Sequence, residues 1–293
     1  GDFDVANGSL SGLTTSNNIT WTATYTPTAN ITETSNVVSL PAGTVIDSDG
    51  NEVTTASNNT TANFTIDTAA PTATIVFTDS ELMAGETSVV TITFSETLTN
   101  GSFTNADLTI ENGTLSAVST SDNKVFTATF TPTANLEDLS NVITLANTGV
   151  TDVATNEGVG TTSSAEYEID TVRPDATITI ADTALKAGET TTVTISFTEV
   201  VSGFANADLT VANGTLSAVA TADGGRTYTA TLTPSTSTDD TSNVITLANT
   251  GFTDPAGNAG TGTTTSANYA VGTVVPTVAS KILMDDTALK VGD

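Results

Sequence analysis

The sequence predicts an all-β chain of tandem sandwich domains arranged as an extended rod. Three observations predict it. The first is residue chemistry: 67 of the 293 residues are Thr, and Thr, Val and Ile, branched at Cβ, favour the pleated strand over the helix. The second is alternation. Val90, Ile92 and Phe94 are separated by Thr91 and Thr93, and Phe126, Ala128 and Phe130 by Thr127 and Thr129, the period of two that a half-buried strand requires. The third is repetition at the scale of a domain.

The repetition runs the length of the chain. FTATFTPTAN (126–135) echoes WTATYTPTAN (21–30) and YTATLTPSTS (228–237), and SNVITLANTG stands at both 140–149 and 242–251. Pro71, Pro174 and Pro276 are spaced 103 and 102 residues apart. That unit is far longer than a solenoid repeat of ~20–50 residues; it is the size of a domain. The predicted organisation is a partial domain over 1–70 that lacks its first strands, whole domains over 71–173 and 174–275, and the start of a further one over 276–293. This frame reads as a piece of a longer tandem array.

Within 71–173 seven strand-like runs are separated by turn residues: 72–77, 88–94, 107–111, 114–119, 124–130, 142–146 and 164–170. Asn112-Gly113 and Ser121-Asp122-Asn123 are tight-turn material. Seven short antiparallel strands in ~100 residues describe an immunoglobulin-like sandwich, with a jelly roll or small barrel as the alternative. The expected core is Val90, Ile92, Phe94, Leu108, Ile110, Phe126, Phe130, Ile143 and Tyr167 in one copy. Val193, Ile195, Phe197, Leu209, Val211, Tyr228, Ile245 and Tyr269 are its counterparts in the next. Trp21 aligns with Phe126 and Tyr228 and is expected in the core rather than as a sugar platform. The linkers around Pro71 and Pro174 have no spare length, so consecutive units are expected to meet pole to pole.

Composition narrows function. With no Cys and no His, no Ser-His-Asp triad, thiol nucleophile, zinc site or disulfide can be built. Six Lys and Arg against 33 Asp and Glu give a formal charge of −27, which opposes binding to nucleic acid or an anionic membrane. No apolar run approaches the ~20 residues of a membrane span. Disorder is opposed by 37% apolar and only 13% charged residues.

The blocks in order resemble bacterial Ig-like domains found in tandem in large surface adhesins of the type I-secreted, RTX-like kind. They are Asp170 to Pro174, Leu185 to Thr190, Phe197 to Glu199, Ala207 to Leu216, Tyr228 to Pro234 and Thr253 to Asn258. The resemblance implies a rod-like stalk at the bacterial cell surface, extracellular and non-enzymatic. Its partners would be neighbouring repeats of the same chain, with other cells or surfaces reached through domains outside this segment, as in biofilm or filament formation. No nucleic acid and no direct membrane insertion are implied. Relatives often carry calcium near domain junctions.

The chain's own acidic residues can be weighed against that expectation. In an Ig-like strand order the B–C and F–G loops share one pole with the end of the preceding domain. Asp67, Glu96, Asp107, Asp152 and Asn156 would gather at the first junction; Asp170, Glu199, Asp208, Asp254 and Asn258 would gather at the second. Such a set supplies the oxygens that Ca2+ takes, 6–8 of them, whereas Mg2+ prefers few carboxylates and retained water. Turn chemistry is the competing reading, since Asp and Asn cap their own backbone. The partial first copy carries the same spacing at Asp47, Asp49 and Asn51. At the third junction Gly272 stands where Asp67 and Asp170 stand, so any site there would be weaker. Asp79 with Glu86, and Asp182 with Glu189, flank a turn and are read as turn residues ahead of a second metal site.

Two functions fit these features. One is a spacer stiffened by Ca2+; the other is a ligand-binding module for a glycan or receptor. A two-carboxylate glycosidase is opposed by near-identical copies without one distinguished pair.

Overall fold

The computed structural model describes residues 2–52 and 59–277. The expected start of a further domain lies outside the described residues beyond Thr277. The chain divides into two compact units. One holds residues up to Leu82, Glu86–Thr133 and Asp138–Ile169; the other holds Met83–Gly85, Ala134–Glu137 and the residues from Asp170 on. Among the described residues the regular elements are strands and four 3-10 turns, and no helix is long and apolar enough to cross a membrane.

In the second copy, strand Ser88–Phe94 is central. It pairs antiparallel with Ala73–Phe77 on one side and with Val125–Pro132 on the other, and the latter pairs with Gly113–Leu115 and Ser119–Thr120. Leu108–Ile110, Ile143–Ala146 and Thr161–Ser163 form a second sheet, and Glu137–Asn141, Tyr167–Asp170 and Glu81–Met83 a third. The third copy repeats this arrangement: Ala176–Ile180, Thr191–Phe197, Thr227–Pro234 and Gly214–Leu216 form one sheet. Ala184–Lys186 pairs parallel to Tyr269–Gly272, with Leu185 beside Val271. The short strands at 81–83, 137–141 and 161–163 lie beyond the seven expected runs. They are only three to five residues long and carry no alternating apolar signal.

The core forms where the alternation puts it. Val90, Ile92, Phe94, Phe126, Phe130, Ile143 and Tyr167 are buried, as are Val193, Ile195, Phe197, Ile245 and Tyr269. Leu108, Ile110, Leu209, Val211 and Tyr228 are only half-buried, because they sit in short outer-layer strands or near a pole. The core also takes residues from loops: Leu98, Phe103, Val201, Phe204 and Phe252. Phe94, Phe103 and Phe126 meet edge to face with ring centroids 4.9 to 5.8 Å apart, the geometry favoured by the ring quadrupole.

One expectation is corrected. Trp21 is not core: it is 52% exposed, while Phe126 at the matching position of the second copy is 6% exposed. Among the described residues strand Trp21–Pro27 pairs with Gly8–Thr15 alone, in a two-stranded sheet. No described strand covers the face that Ser88–Phe94 covers in the second copy.

A polar cluster recurs inside every copy. Asn141 is 1% exposed. Its side-chain amide donates to the carbonyls of Asp138 and Tyr167 at 2.9 and 3.1 Å, and its Oδ1 accepts from Asn112 Nδ2 at 2.6 Å. Asn243 with Asn213, and Asn36 with Asn7, repeat the arrangement. Asn112 has φ +51° and Asn213 +47°, a left-handed turn that Asn tolerates. The cluster ties this turn to the strand that crosses beneath it.

Candidate metal centre

The loop between the last two main strands is built around an Asp and the Asn four residues later. In the second copy Asp152 Oδ1 accepts from the Asn156 backbone N–H and Oδ2 from the Asn156 side-chain amide, both at 2.8 Å. In the third copy Asp254 Oδ1 accepts from the backbone N–H of Gly257 at 2.7 Å and of Asn258 at 2.8 Å, and Oδ2 from Asn258 Nδ2 at 2.8 Å. Asp47 and Asn51 make the same brace in the first copy, fully exposed. The position before each Asn needs a left-handed backbone. It holds Gly50 (φ +85°), Thr155 (φ +71°) and Gly257 (φ +103°).

The loop buries its Asp: Asp152 is 0% exposed and Asp254 2%. Two further carboxylates meet each. Asp67, Glu96 and Asp152 each bring an oxygen within 4.8 Å of the others, and so do Asp170, Glu199 and Asp254. The Asn reaches the same place, since Asn156 Nδ2 donates to the Asp67 carbonyl at 3.2 Å and Asn258 Nδ2 to the Asp170 carbonyl at 2.9 Å. In the second unit Asn258 Oδ1 also accepts from Ala84 N–H at 2.6 Å. The Asn side-chain amides thus tie the loop to the entering segment, and the Asn258 Oδ1 is taken up by Ala84 N–H.

Crowding shows in the carboxylate energetics. Burial, then the charges of Asp152 and Asp67, push Glu96 above the ordinary carboxylate range. Burial, then Asp254 and Asp170, push Glu199 up to about 7. Asp170 is raised by burial first and by Asp254 to a lesser degree. Glu199 Oε1 is buried and has no hydrogen-bond partner, which is costly for a carboxylate.

The structure does not bring Asp107 and Asp208 into these clusters. Asp107 Oδ2 accepts from Thr104 N–H at 2.8 Å and closes a 3-10 turn. Asp208 does the same with Ala205 N–H at 2.8 Å. Each carboxylate presses on a glycine, Gly149 or Gly251, where an added Cβ would collide with it. Alignment of loop ends suggested convergence, but the turn directs these side chains to the backbone. Asp79 and Asp182 accept from Glu81 and Ala184 N–H, and Glu189 from Lys186 N–H; these bonds brace the turn.

The three carboxylates of each cluster fit a Ca2+ ion. Ligand oxygens at 2.3–2.6 Å from one ion lie no more than about 5 Å apart, and the three carboxylate oxygens of each cluster lie within 4.8 Å of one another. The unpartnered Glu199 oxygen is a lone pair ready for a cation. Lys124 and Arg226 offset part of the charge on Glu96 and Glu199, as the last and smallest of their influences, and a bound ion would neutralise more of it.

Comparison with known proteins places the domains. No curated protein matches the chain. Among solved structures it is similar to the Escherichia coli adhesin FdeC, at 15% identity and a TM-score of 0.41, covering 93% of this chain and 85% of that one. It is also similar to the Yersinia pseudotuberculosis adhesin InvE (17%, TM-score 0.30, 66% and 58% covered) and to the I9–I11 tandem of titin (13%, 0.23, 84% and 94%). The sequence pattern of the bacterial Ig-like domain matches residues 1–65, 67–169 and 170–271. With three consecutive matches over most of the chain, and second and third copies that repeat strand for strand, the chain belongs to the bacterial Ig-like domain family.

Proposed function

We propose that this chain is a spacer segment of an extracellular bacterial surface adhesin, and that Ca2+ held at the acidic clusters stiffens it. The observation that carries the reading is the repetition of one cluster, Asp67/Glu96/Asp152 and Asp170/Glu199/Asp254, at equivalent places in successive copies. Each cluster joins the segment entering a domain to two loops of that domain. Domains of this family are in general non-enzymatic. The aromatic side chains of the second and third copies pack against one another, leaving little for a glycan to stack on.

Magnitudes favour an ion over screening by salt. The Debye length at physiological ionic strength is ~8 Å, longer than the 4.8 Å within which the carboxylate oxygens lie. Monovalent salt therefore leaves the repulsion inside a cluster largely in place. An ion that binds only the folded state stabilises it by ~2.7 kcal/mol at a hundredfold excess over Kd. Asp67, Glu96 and Asp152 would hold one ion, and Asp170, Glu199 and Asp254 the other.

Calorimetric titration of the 293-residue chain with CaCl2 after chelation tests this. Binding with a stoichiometry near two, and near one in Asp254→Ala, is expected. An absence of binding heat and of any change in melting temperature at millimolar Ca2+ would leave the loops as turns alone.

A further inference from the structure

Four Asn-Gly pairs stand in the chain: Asn7-Gly8, Asn100-Gly101, Asn112-Gly113 and Asn213-Gly214. Such a pair can react with itself. Glycine has no side chain to obstruct its backbone nitrogen, which can reach the Asn side-chain carbon and close a succinimide ring. Three of the four pairs are held against this. Asn7 Nδ2 donates to Asn36 Oδ1 at 2.8 Å. Asn112 and Asn213 donate to the carboxylates of Asp138 and Asp240, both at 2.9 Å, and to the buried Asn141 and Asn243. The backbone carbonyls of the same three residues accept from Thr28, Thr133 and Ser235 N–H, each at 2.9 Å. Ring closure needs rotation of both the side chain and the Asn-Gly peptide, and in these pairs both are fixed.

Asn100 has neither restraint. It is exposed, and among the described residues nothing bonds to its side chain or to its carbonyl. With Gly101 it forms the tip of a turn closed by Ser102 N–H on the Thr99 carbonyl at 3.0 Å. Gly101 takes φ +80°, and a Cβ placed there would meet nothing within 4 Å, so the tip stands in open space. The flanks of the turn do hold something. Thr99 N–H donates to the Thr151 carbonyl at 2.9 Å and Thr99 Oγ1 to the Asp152 carbonyl at 2.5 Å, while Ser102 Oγ donates to the Thr151 carbonyl at 3.0 Å. In the third copy Ser202, whose N–H donates to Thr253 as that of Thr99 does to Thr151, is followed directly by Gly203. The open pair is thus peculiar to the second copy.

We propose that Asn100 is a site of spontaneous deamidation, with water as the only co-reactant. The Gly101 nitrogen attacks Asn100 Cγ. The new C–N bond forms, the bond from Cγ to Nδ2 breaks, and ammonia leaves with the proton that the glycine nitrogen gives up. Water then opens the ring. Attack at the Cγ carbonyl gives aspartate; attack at the backbone carbonyl gives isoaspartate, whose main chain runs through Cγ and is one methylene longer. Either product adds a negative charge at the tip. The longer backbone no longer fits the turn between Thr99 and Ser102, and their grip on Thr151 and Asp152 loosens. None of this rests on Ca2+ binding.

The test ages the full chain in mildly alkaline buffer, native and in urea. Peptic peptides are then read by tandem mass spectrometry with electron-transfer fragmentation, which separates isoaspartate from aspartate. Conversion confined to Asn100 in the native sample, and shared by all four pairs in urea, is expected. Hydrogen exchange reads the consequence. The Thr99 amide should exchange faster in the converted chain, while aged Asn100→Ser, which cannot form the ring, keeps its slow exchange. An intact Asn100 in a native sample whose urea counterpart has reacted would overturn the site. So would conversion of Asn112 or Asn213 in the native chain as fast as that of Asn100. Exchange at Thr99 that conversion leaves unchanged would overturn the loosening of the loop.

Discussion

Asn258 donates one side-chain amide to the backbone carbonyl of Asp170, at 2.9 Å, and to the carboxylate of Asp254, at 2.8 Å. The loop is thereby pinned to the segment that enters its domain before any cation is considered. Replacing Asn258 by Ala strands a buried carbonyl and a carboxylate oxygen. A loss of about 1–3 kcal/mol is expected, measured by urea unfolding in chelator. A change below the error of that measurement would mean that the loop holds itself.

The charge state of Glu199 gives a pH dependence. Its folded-state value of about 7 lies above the ordinary 4.5, so the folded protein holds this proton more tightly than the unfolded chain does. The stabilisation is full below pH ~4.5 and is lost as pH rises through ~7. In chelator, Glu199→Gln should melt above wild type at pH 8 by a few degrees and match it near pH 5. Equal melting temperatures at both values would contradict the assignment.

Calcium and protons compete for the same oxygens. The rise in melting temperature on adding Ca2+ should therefore be larger at pH 8 than at pH 5.5, and differential scanning calorimetry at the two values measures the difference. In Glu199→Gln the pH dependence of the gain should shrink.

Phe126 is 6% exposed and meets Phe94 and Phe103 edge to face. Phe126→Ala should cost about 3–5 kcal/mol in equilibrium denaturation. Trp21→Ala, at the matching but open position, should cost under ~1 kcal/mol, since single exposed sites give small changes.

Thr155 takes φ +71° where the other copies have glycine. A β-branched side chain is strained there, by about 1–3 kcal/mol. Thr155→Gly should raise stability by about 1 kcal/mol once the extra freedom of glycine in the unfolded chain is subtracted. A fall in melting temperature would show that the Thr side chain makes a compensating contact.

Alternation made the main strands legible: Ser88–Phe94 and Thr191–Phe197 are where Val, Ile and Phe alternate with Thr and Ser. The loops were less so. Phe103 and Leu98 carry no periodic signal, because a loop residue is buried by where the chain turns and not by a pattern of neighbours. Asp152 and Asp254 could be aligned with Glu96 and Glu199 through the order of strands. Asp107 and Asp208 could not be sorted from them, because the direction of a side chain at a strand start depends on the 3-10 turn before it. Trp21 was misread for a related reason: burial at position 126 belongs to a pair of strands, and a single strand repeats the sequence without repeating the cover. Nothing in the sequence sets Asn141 and Asn243 apart from the chain's other asparagines; what they hold shows in the fold.

All three carboxylates of each cluster come from one continuous stretch, Asp67 to Asp152 or Asp170 to Asp254. A gene cassette encoding 67–169 or 170–271 therefore carries its cluster whole. In-frame duplication or deletion of such a cassette changes the number of domains and the number of clusters together and never leaves half of one. Recombination between these similar repeats can then lengthen or shorten the array, while every remaining domain keeps the same set of acidic neighbours.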